Sequence, residues 1–192
     1  NQTPLTFNLR MTESSKSGID AQFIQGLLDG DRQSQKRLYG TYSAKMFALC
    51  LRYAGNQDEA EDLLQEGFIK VFKNLVQYKA EGSFEGWMRR IFVNTAVEFL
   101  RKRNFKYRTI EQPDFDIEHQ HTSGFDKLSL ADLLRVIQSL PDGYRTVFNL
   151  YVIEGYSHKE IAQLLHISEG TSKSQLARAK LMLQKFFSTR EV

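Results

Sequence analysis

The side chains in this sequence best suited to chemistry are bases spaced to lie along helices. Between Glu169 and Glu191 there is no acidic residue, while Lys173, Arg178, Lys180 and Lys185 recur there. A second segment gathers Arg89, Arg90, Arg101, Lys102 and Arg103, with Asn94 among them. Arginine can donate two parallel hydrogen bonds to guanine, asparagine can pair with a base edge, and lysine neutralises phosphate. Such residues suit the binding of a polyanion. Catalysis would need a nucleophile beside arginines, paired carboxylates, or a metal cluster. Asp58, Asp62 and Glu66 are carboxylates on one helical pattern, but no histidine accompanies them, and no glycine-rich phosphate loop is present. His119 and His121 lack cysteine or histidine partners nearby and read as solvated loop residues. No catalytic residue, metal or cofactor is expected.

The bases near the end need a scaffold, and the pattern from Tyr156 to Phe187 supplies one. Two helical stretches are separated by a short turn, as in a helix-turn-helix. Ser157 with Glu160 forms a capping-box pair at the start of the first. Ile161 and Leu165 then share a face, and Ala162 is small enough for a second helix to cross closely. Ser168 can cap that second helix. Wheeling it at about 100° per residue puts Leu176, Ala179, Leu183 and Phe187 on one stripe. Ser174, Arg178 and Lys185 fall opposite, with Thr171 beside them. An apolar back and a polar, basic front suit a major-groove reader. The same pattern also fits a helical hairpin with a solvated basic face.

With 192 residues, 41% hydrophobic and 26% charged, the chain has the composition of a soluble globular protein with one medium domain or two small ones. It shows neither a signal-peptide pattern nor a run of eighteen apolar residues, so no membrane insertion is expected. Asn1 opens the sequence, and Met11 is a candidate internal start. The single cysteine, Cys50, excludes an internal disulfide; its apolar neighbours Phe47, Leu49 and Leu51 predict a buried thiol, and a reducing cytoplasm fits. The net charge of +3 is unevenly spread. Residues 54 to 76 are rich in acids, 77 to 108 in bases, 109 to 132 in acids, and 133 to 192 in bases. The alternation predicts different partners along one chain, or simply solvated faces.

The expected fold class is all-α, two small helical domains joined by a flexible linker. Residues 1–18 form a polar, disordered tail. The first domain covers 19–106. Phe23, Ile24, Leu27 and Leu28 mark a short helix ending near Gly30, and Leu38, Tyr42, Met46, Leu49 and Tyr53 mark a longer one. A third helix runs from about Gln57 to Val76 with Ala60, Leu64, Phe68, Val71, Phe72 and Leu75 inward. A fourth starts at Ser83 or Phe84 and ends near Arg103, with Phe84, Met88, Ile91, Thr95 and Phe99 inward, flanked by Trp87 and Phe92. Residues 107–127 lose all periodicity and read as the linker. The second domain, 128–192, begins with a helix bearing Leu130, Leu133, Leu134 and Ile137. Pro141 is placed in the first turn of the next helix, whose Val147, Leu150 and Tyr151 face inward. Gly155 follows its end.

Four motifs in this order resemble the extracytoplasmic-function (ECF) group of bacterial RNA polymerase sigma factors, the smallest members of the sigma-70 family. They are D-E-A-E-D-L-L-Q-E-G-F-I-K-V-F from Asp58 to Phe72, F-E-G-W-M-R-R-I-F-V-N-T-A from Phe84 to Ala96, S-L-P-D-G-Y-R-T-V-F from Ser139 to Phe148, and the helix-turn-helix from Ser157 to Lys180. The resemblance implies sigma region 2, a linker, and sigma region 4, with no room for region 3.

The resemblance also assigns roles. Asp58, Asp62, Gln65 and Glu66 match the surface that docks on the clamp helices of the polymerase β′ subunit. Alternatively, Asp58 caps its helix and Glu66 pairs with Lys70. The loop Lys79 to Ser83 and the helix after it match the part that opens promoter DNA and holds a flipped base of the −10 element. There Lys79, Ser83, Arg89, Arg90, Asn94, Arg101, Lys102 and Arg103 are the candidate contacts, while Trp87, Phe92 and Phe99 are expected in the core. In region 4, Lys173, Ser174, Ala177 and Arg178 match positions that reach bases of the −35 element, and Thr171 and Lys180 match phosphate contacts. Three residues depart from the family pattern. His166 stands where the turn often has glycine, Ser172 replaces a usual valine, and Gln175 replaces a frequent arginine. The linker acids Glu111, Asp114, Asp116 and Glu118 match a connector that mimics RNA in the exit channel, or serve only solubility.

The function implied is a promoter-specificity subunit that is not itself an enzyme, acts in the cytoplasm, and assists DNA opening at transcription initiation. Its partners would be core RNA polymerase, through β′ and β, and promoter DNA; a membrane-bound anti-sigma factor is a further candidate. No small-molecule substrate is implied. The competing expectation is a conventional helix-turn-helix regulator that binds DNA without polymerase.

Overall fold

The computed structural model describes residues 21–107 and 130–188. The expected tail 1–18 and, apart from Tyr107, the expected linker lie outside the described residues, as do His119, His121 and the linker acids. Among the described residues every regular element is helical and no strand occurs. The order is α1 (Ala21–Leu28), α2 (Arg32–Tyr53), α3 (Gln57–Asn74) with a 3₁₀ turn (Leu75–Gln77), α4 (Phe84–Tyr107), α5 (Leu130–Gln138), α6 (Asp142–Phe148) running into a π turn (Asn149–Ile153), α7 (His158–Leu165) and α8 (Glu169–Ser188).

Helix starts are set by caps. Asp31 accepts from the backbone N–H groups of Gln33 and Ser34 ahead of α2, and Asn56 accepts from Glu59 N–H ahead of α3. Asn56 being the cap leaves Asp58 out of that role. The first domain then forms around α2, whose Leu38, Tyr42, Met46, Leu49 and Tyr53 recur every three or four residues and are buried. Helices α3 and α4 approach closely at Gly67, where an added Cβ would lie 2.2 Å from Cε1 of the buried Phe92. Glycine is needed at that crossing for space. Phe92 meets Phe68 edge-on at 5.3 Å between ring centroids. Cys50 is buried as expected, which pushes its thiol up to about 12.

Several inward positions differ from expectation. In α3, Leu63 and Gly67 are buried, whereas Leu64 and Phe72 are only half-buried. In α4, Ile91, Phe99 and Trp87 are half-buried, while Val93, Ala96, Val97 and Leu100 are fully covered. The buried arc of α4 is wide because both domains pack on it. In α5, Leu133 is exposed and Val136 takes the inward place. Pro141 sits at the amino-terminal cap of α6, one residue earlier than expected, with φ −52°. Tyr151 faces out at 39% exposure. The π turn is the cause: Glu154 N–H bonds back five residues to Asn149 O, which breaks the 3.6-residue period and places Asn149 inside beside Leu150, which is buried as expected. Tyr151 stacks on His158 at 4.4 Å.

The two domains share one continuous apolar cluster. Val147, Leu150, Ile161 and Leu176 of the second domain join the core built by α1 to α4. Polar links reinforce the seam: Gln138 Nε2 donates to Leu51 O, and Asn149 Nδ2 donates to Arg52 O.

Candidate nucleic-acid interface

The helix-turn-helix forms as its residues predict. Ser157 Oγ accepts from Glu160 N–H, and the Glu160 carboxylate accepts from Ser157 N–H, closing the capping box. His166 ends α7 in the left-handed region at φ 54°, the conformation for which glycine is the common residue. Ser168 Oγ accepts from Thr171 N–H to start α8. Leu176 and Ala179 are buried and anchor α8 in its seat, with Leu183 half-buried. The side chain of Phe187 lies outside the described residues. Ser172 is buried and its hydroxyl lies 2.9 Å from His158 Nδ1, so a hydrogen bond between α7 and α8 replaces the packing a valine would give. Gln175 is half-buried against Gly143 of α6.

The front of α8 is open. Lys173, Ser174, Ala177, Arg178 and Lys180 are all exposed, and Thr171 is half-buried. At about 100° per residue, Ser174, Ala177, Arg178 and Thr171 occupy the side away from the anchors, and Lys173 and Lys180 lie on its flank. Arg178 NH1 donates to Tyr144 Oη at 3.0 Å, which holds the guanidinium over the α6 end of the face. Neither Lys173 nor Lys180 has an acidic partner among the described residues. This surface can insert a helix into a groove and neutralise flanking phosphates.

The basic residues of α4 do not share one face. Arg90, Asn94 and Arg101 fall on one exposed strip. Arg89 lies on the opposite, covered side, where its Nε and NH2 donate to the Glu154 carboxylate at 2.7 and 3.0 Å. Arg103 is half-buried and bridges Glu59 at 2.8 Å and Asp142. Lys102 pairs with Glu98 at 3.2 Å on a third side. Arg89 and Arg103 are thus engaged as structural ion pairs in this conformation, and the strip retains Arg90, Asn94 and Arg101. The hydrogen bond that Arg89 donates to Glu154, then the charge of that carboxylate, holds the Arg89 pKa above its ordinary value despite burial. For Arg103, burial opposes the charge, but Asp142 and Glu59 outweigh it and raise the pKa.

The loop ahead of α4 has two left-handed residues, Ala80 at φ 57° and Gly82 at φ 88°. Tyr78, Phe84 and Trp87 close beneath it, with ring centroids 5.0 to 5.4 Å apart. Lys79 is exposed. Ser83 is the helix cap, accepting from Gly86 N–H at 2.9 Å, so its hydroxyl is already committed. In the sequence only Phe84 and Trp87 of this trio read as core residues; Tyr78 fell in the loop, and the fold brings the three rings together.

The acidic candidates flank a groove of about 780 Å³ between α2 and α3. Asp62 and Gln65 line it, with Tyr39, Phe47, Leu64, Ile69 and Phe72 supplying an apolar floor. Asp58 is exposed beside them. Glu66 pairs with Lys70 at 3.0 Å, and Lys70 also holds Glu98. The sequence marked the acids; the apolar floor was missed because Leu64 and Phe72 read as core and Tyr39 and Ile69 fall outside the core stripes. Among the described residues no helix is long and apolar enough to cross a membrane.

Comparison with known proteins fits both halves. The family model described as Sigma-70 region 2 matches residues 38–106, and that described as Sigma-70, region 4 matches residues 130–183. The ECF RNA polymerase sigma factor SigW of Bacillus subtilis is 31% identical over 182 residues, covering 84% of this chain and 93% of that protein. The ECF RNA polymerase sigma factor SigE of Mycolicibacterium smegmatis is 32% identical over 166 residues, covering 81% of this chain but 62% of its own length. In fold, the chain is similar to the sigma factor RpoE of Bartonella quintana, solved in complex with the anti-sigma factor NepR, with a TM-score of 0.51 at 21% identity over 81% of this chain and 98% of that one. The match of region 2 to the α2–α4 bundle, of region 4 to α5–α8, and of a near full-length relative to both together establishes that the chain belongs to the ECF group of RNA polymerase sigma factors in the sigma-70 family.

Proposed function

We propose that this chain directs core RNA polymerase to its promoters and assists DNA opening, acting as a binding subunit in the cytoplasm and not as an enzyme. The observation that carries the proposal is the pairing, on one chain, of an exposed acid-free recognition face on α8 with a separate acid-rimmed apolar groove between α2 and α3. A conventional regulator needs only the first. The second suits a partner helix that brings both apolar and cationic side chains, since an apolar floor supplies affinity and the rim charges select the partner. On this proposal Asp58, Asp62, Gln65 and Glu66 meet core polymerase. Arg90, Asn94 and Arg101, with Lys79 and the aromatic trio, meet the opened −10 strand, joined by Arg89, Lys102 and Arg103 when their present partners release them. Thr171, Lys173, Ser174, Ala177, Arg178 and Lys180 meet the −35 duplex. A membrane-bound anti-sigma factor is a further candidate partner.

Co-purification with core RNA polymerase, followed by runoff transcription on a promoter library, tests the proposal. Asp58→Arg combined with Asp62→Arg is the cleanest disabling variant, because both carboxylates are exposed and Glu66, unlike them, holds Lys70. The double variant should lose polymerase retention while keeping the parent's helical spectrum, as like charges then face the partner. Retention equal to the parent's would contradict the docking surface. Tight, specific duplex binding by the isolated chain with no response to polymerase would favour the conventional regulator.

A further inference from the structure

Helix α6 packs along α8, and its first turn meets one side of the recognition face. Gly143 lies against the Gln175 side chain, whose amide is 3.4 Å from where a Cβ would stand. Further along α8, Arg178 NH1 donates to the Tyr144 hydroxyl at 3.0 Å. Tyr144 is half-buried, whereas Arg178 is exposed. The turn that carries Tyr144 is fixed by its neighbours. The buried Arg145 donates to the carbonyls of Gln138 and Leu140 and to the Asp142 carboxylate. Thr146 Oγ1 donates back to Asp142 O at 2.6 Å, and Val147 enters the core. Tyr144 is thus a stiff side chain on an anchored turn, bonded to a long side chain that is costly to immobilise.

We propose that Tyr144 is a positioning residue for base reading: its hydroxyl sets the rotamer of Arg178 and so sharpens preference at the one promoter position that Arg178 contacts. The proposal rests on the reading of α8 as the −35 helix. The chemistry of the tether supports it. Arg89 and Arg103 are held by carboxylates, which supply a counter-charge along with the hydrogen bonds. A phenol hydroxyl accepts an N–H without bringing a counter-charge, so Arg178 keeps its attraction for DNA. One of its N–H donors goes to Tyr144, which leaves enough for the two parallel bonds that guanine accepts. A free arginine gives up its rotamers on binding a base; a held one has given them up beforehand. Holding also disfavours the rotamers that would swing the guanidinium to a neighbouring base or phosphate, which is a gain in specificity. Among the described residues the flanking Lys173 and Lys180 have no such tether. That suits a point charge on a flexible stem, which can meet phosphate from many angles.

The test is transcription by core polymerase reconstituted with the full chain, on templates randomised at the −35 element. Tyr144→Phe removes the hydroxyl and keeps the ring, so the contact between α6 and α8 should survive. It should lower discrimination at the single position that Arg178→Ala relaxes, by about 2- to 10-fold, with the other positions unchanged. In the Arg178→Ala background the same change should add nothing at that position. Gly143→Ala, which touches the Gln175 contact but not the hydroxyl, should keep the parent's preference. The proposal is overturned if Tyr144→Phe keeps the parent's preference at that position, or relaxes it equally with and without Arg178. An equal loss on all promoters, as a phosphate contact would give, also overturns it. So does a Gly143→Ala variant as relaxed as Tyr144→Phe. If Arg178→Ala relaxes one position and Tyr144→Phe does not, the −35 reading of α8 stands and the tether alone fails. If Arg178→Ala relaxes none, both fall.

Discussion

Helices α4 and α8 both carry clusters of bases, yet the structure uses the two clusters differently. On α8 the bases Lys173, Arg178 and Lys180 stand on an exposed front whose back is fixed by Leu176 and Ala179. On α4 the bases are distributed around the helix, and Arg89, Lys102 and Arg103 already have carboxylate partners. A basic run therefore does not define a binding face by itself. What separates the two helices is burial: α8 is covered on one side, while α4, like α2, is packed on by both domains. A base on a helix covered over a wide arc is drawn into the packing, and it then needs a counter-charge there.

That contrast makes mutations on the two helices fall on different observables. The largest effect is expected at the inner face of α4. Phe92→Ala removes a ring packed against Phe68 and Gly67 and should lower stability by about 3–5 kcal/mol in urea unfolding. Next is Arg89→Ala, which leaves the buried Glu154 with Arg52 alone and should cost about 1–3 kcal/mol. Lys173→Ala on α8 should stay within about 0.5 kcal/mol of the parent in the same experiment. Equal losses for Arg89→Ala and Lys173→Ala would erase the distinction. Ser168→Ala should cost about 1 kcal/mol, since it deprives Thr171 N–H of its acceptor. The smallest effect on the fold belongs to Lys180→Ala. It should leave stability unchanged while weakening all promoters alike and reducing the salt slope of DNA binding by about 1.

Local features were the legible ones. Ser157 with Glu160, Ser168 and the αL position of His166 are set by neighbours within four residues, so the sequence pattern reaches them directly. Cys50 and the α2 stripe were equally plain, because one face of a regular helix meets one core. What escaped depends on contacts distant in the chain. Nothing in the sequence pattern singles out Glu154, and only the fold places it against Arg89, 65 positions away. Tyr151 was expected inside because a π turn has no simple periodic signature. Leu64 and Phe72 read as core, yet they face a groove that no other described residue fills. A half-buried residue at the rim of a groove gives the same periodic signal as a core residue, so the groove was hidden from the pattern.

The most direct measurement of the account is transcription by core polymerase from a library randomised at the −35 element, comparing the parent with Arg178→Ala at two salt concentrations. If the front of α8 reads bases, Arg178→Ala should relax preference at one promoter position by about 1–3 kcal/mol and leave the others as they were. The parent's preference retained at every position would contradict the assignment of α8 as the reading helix.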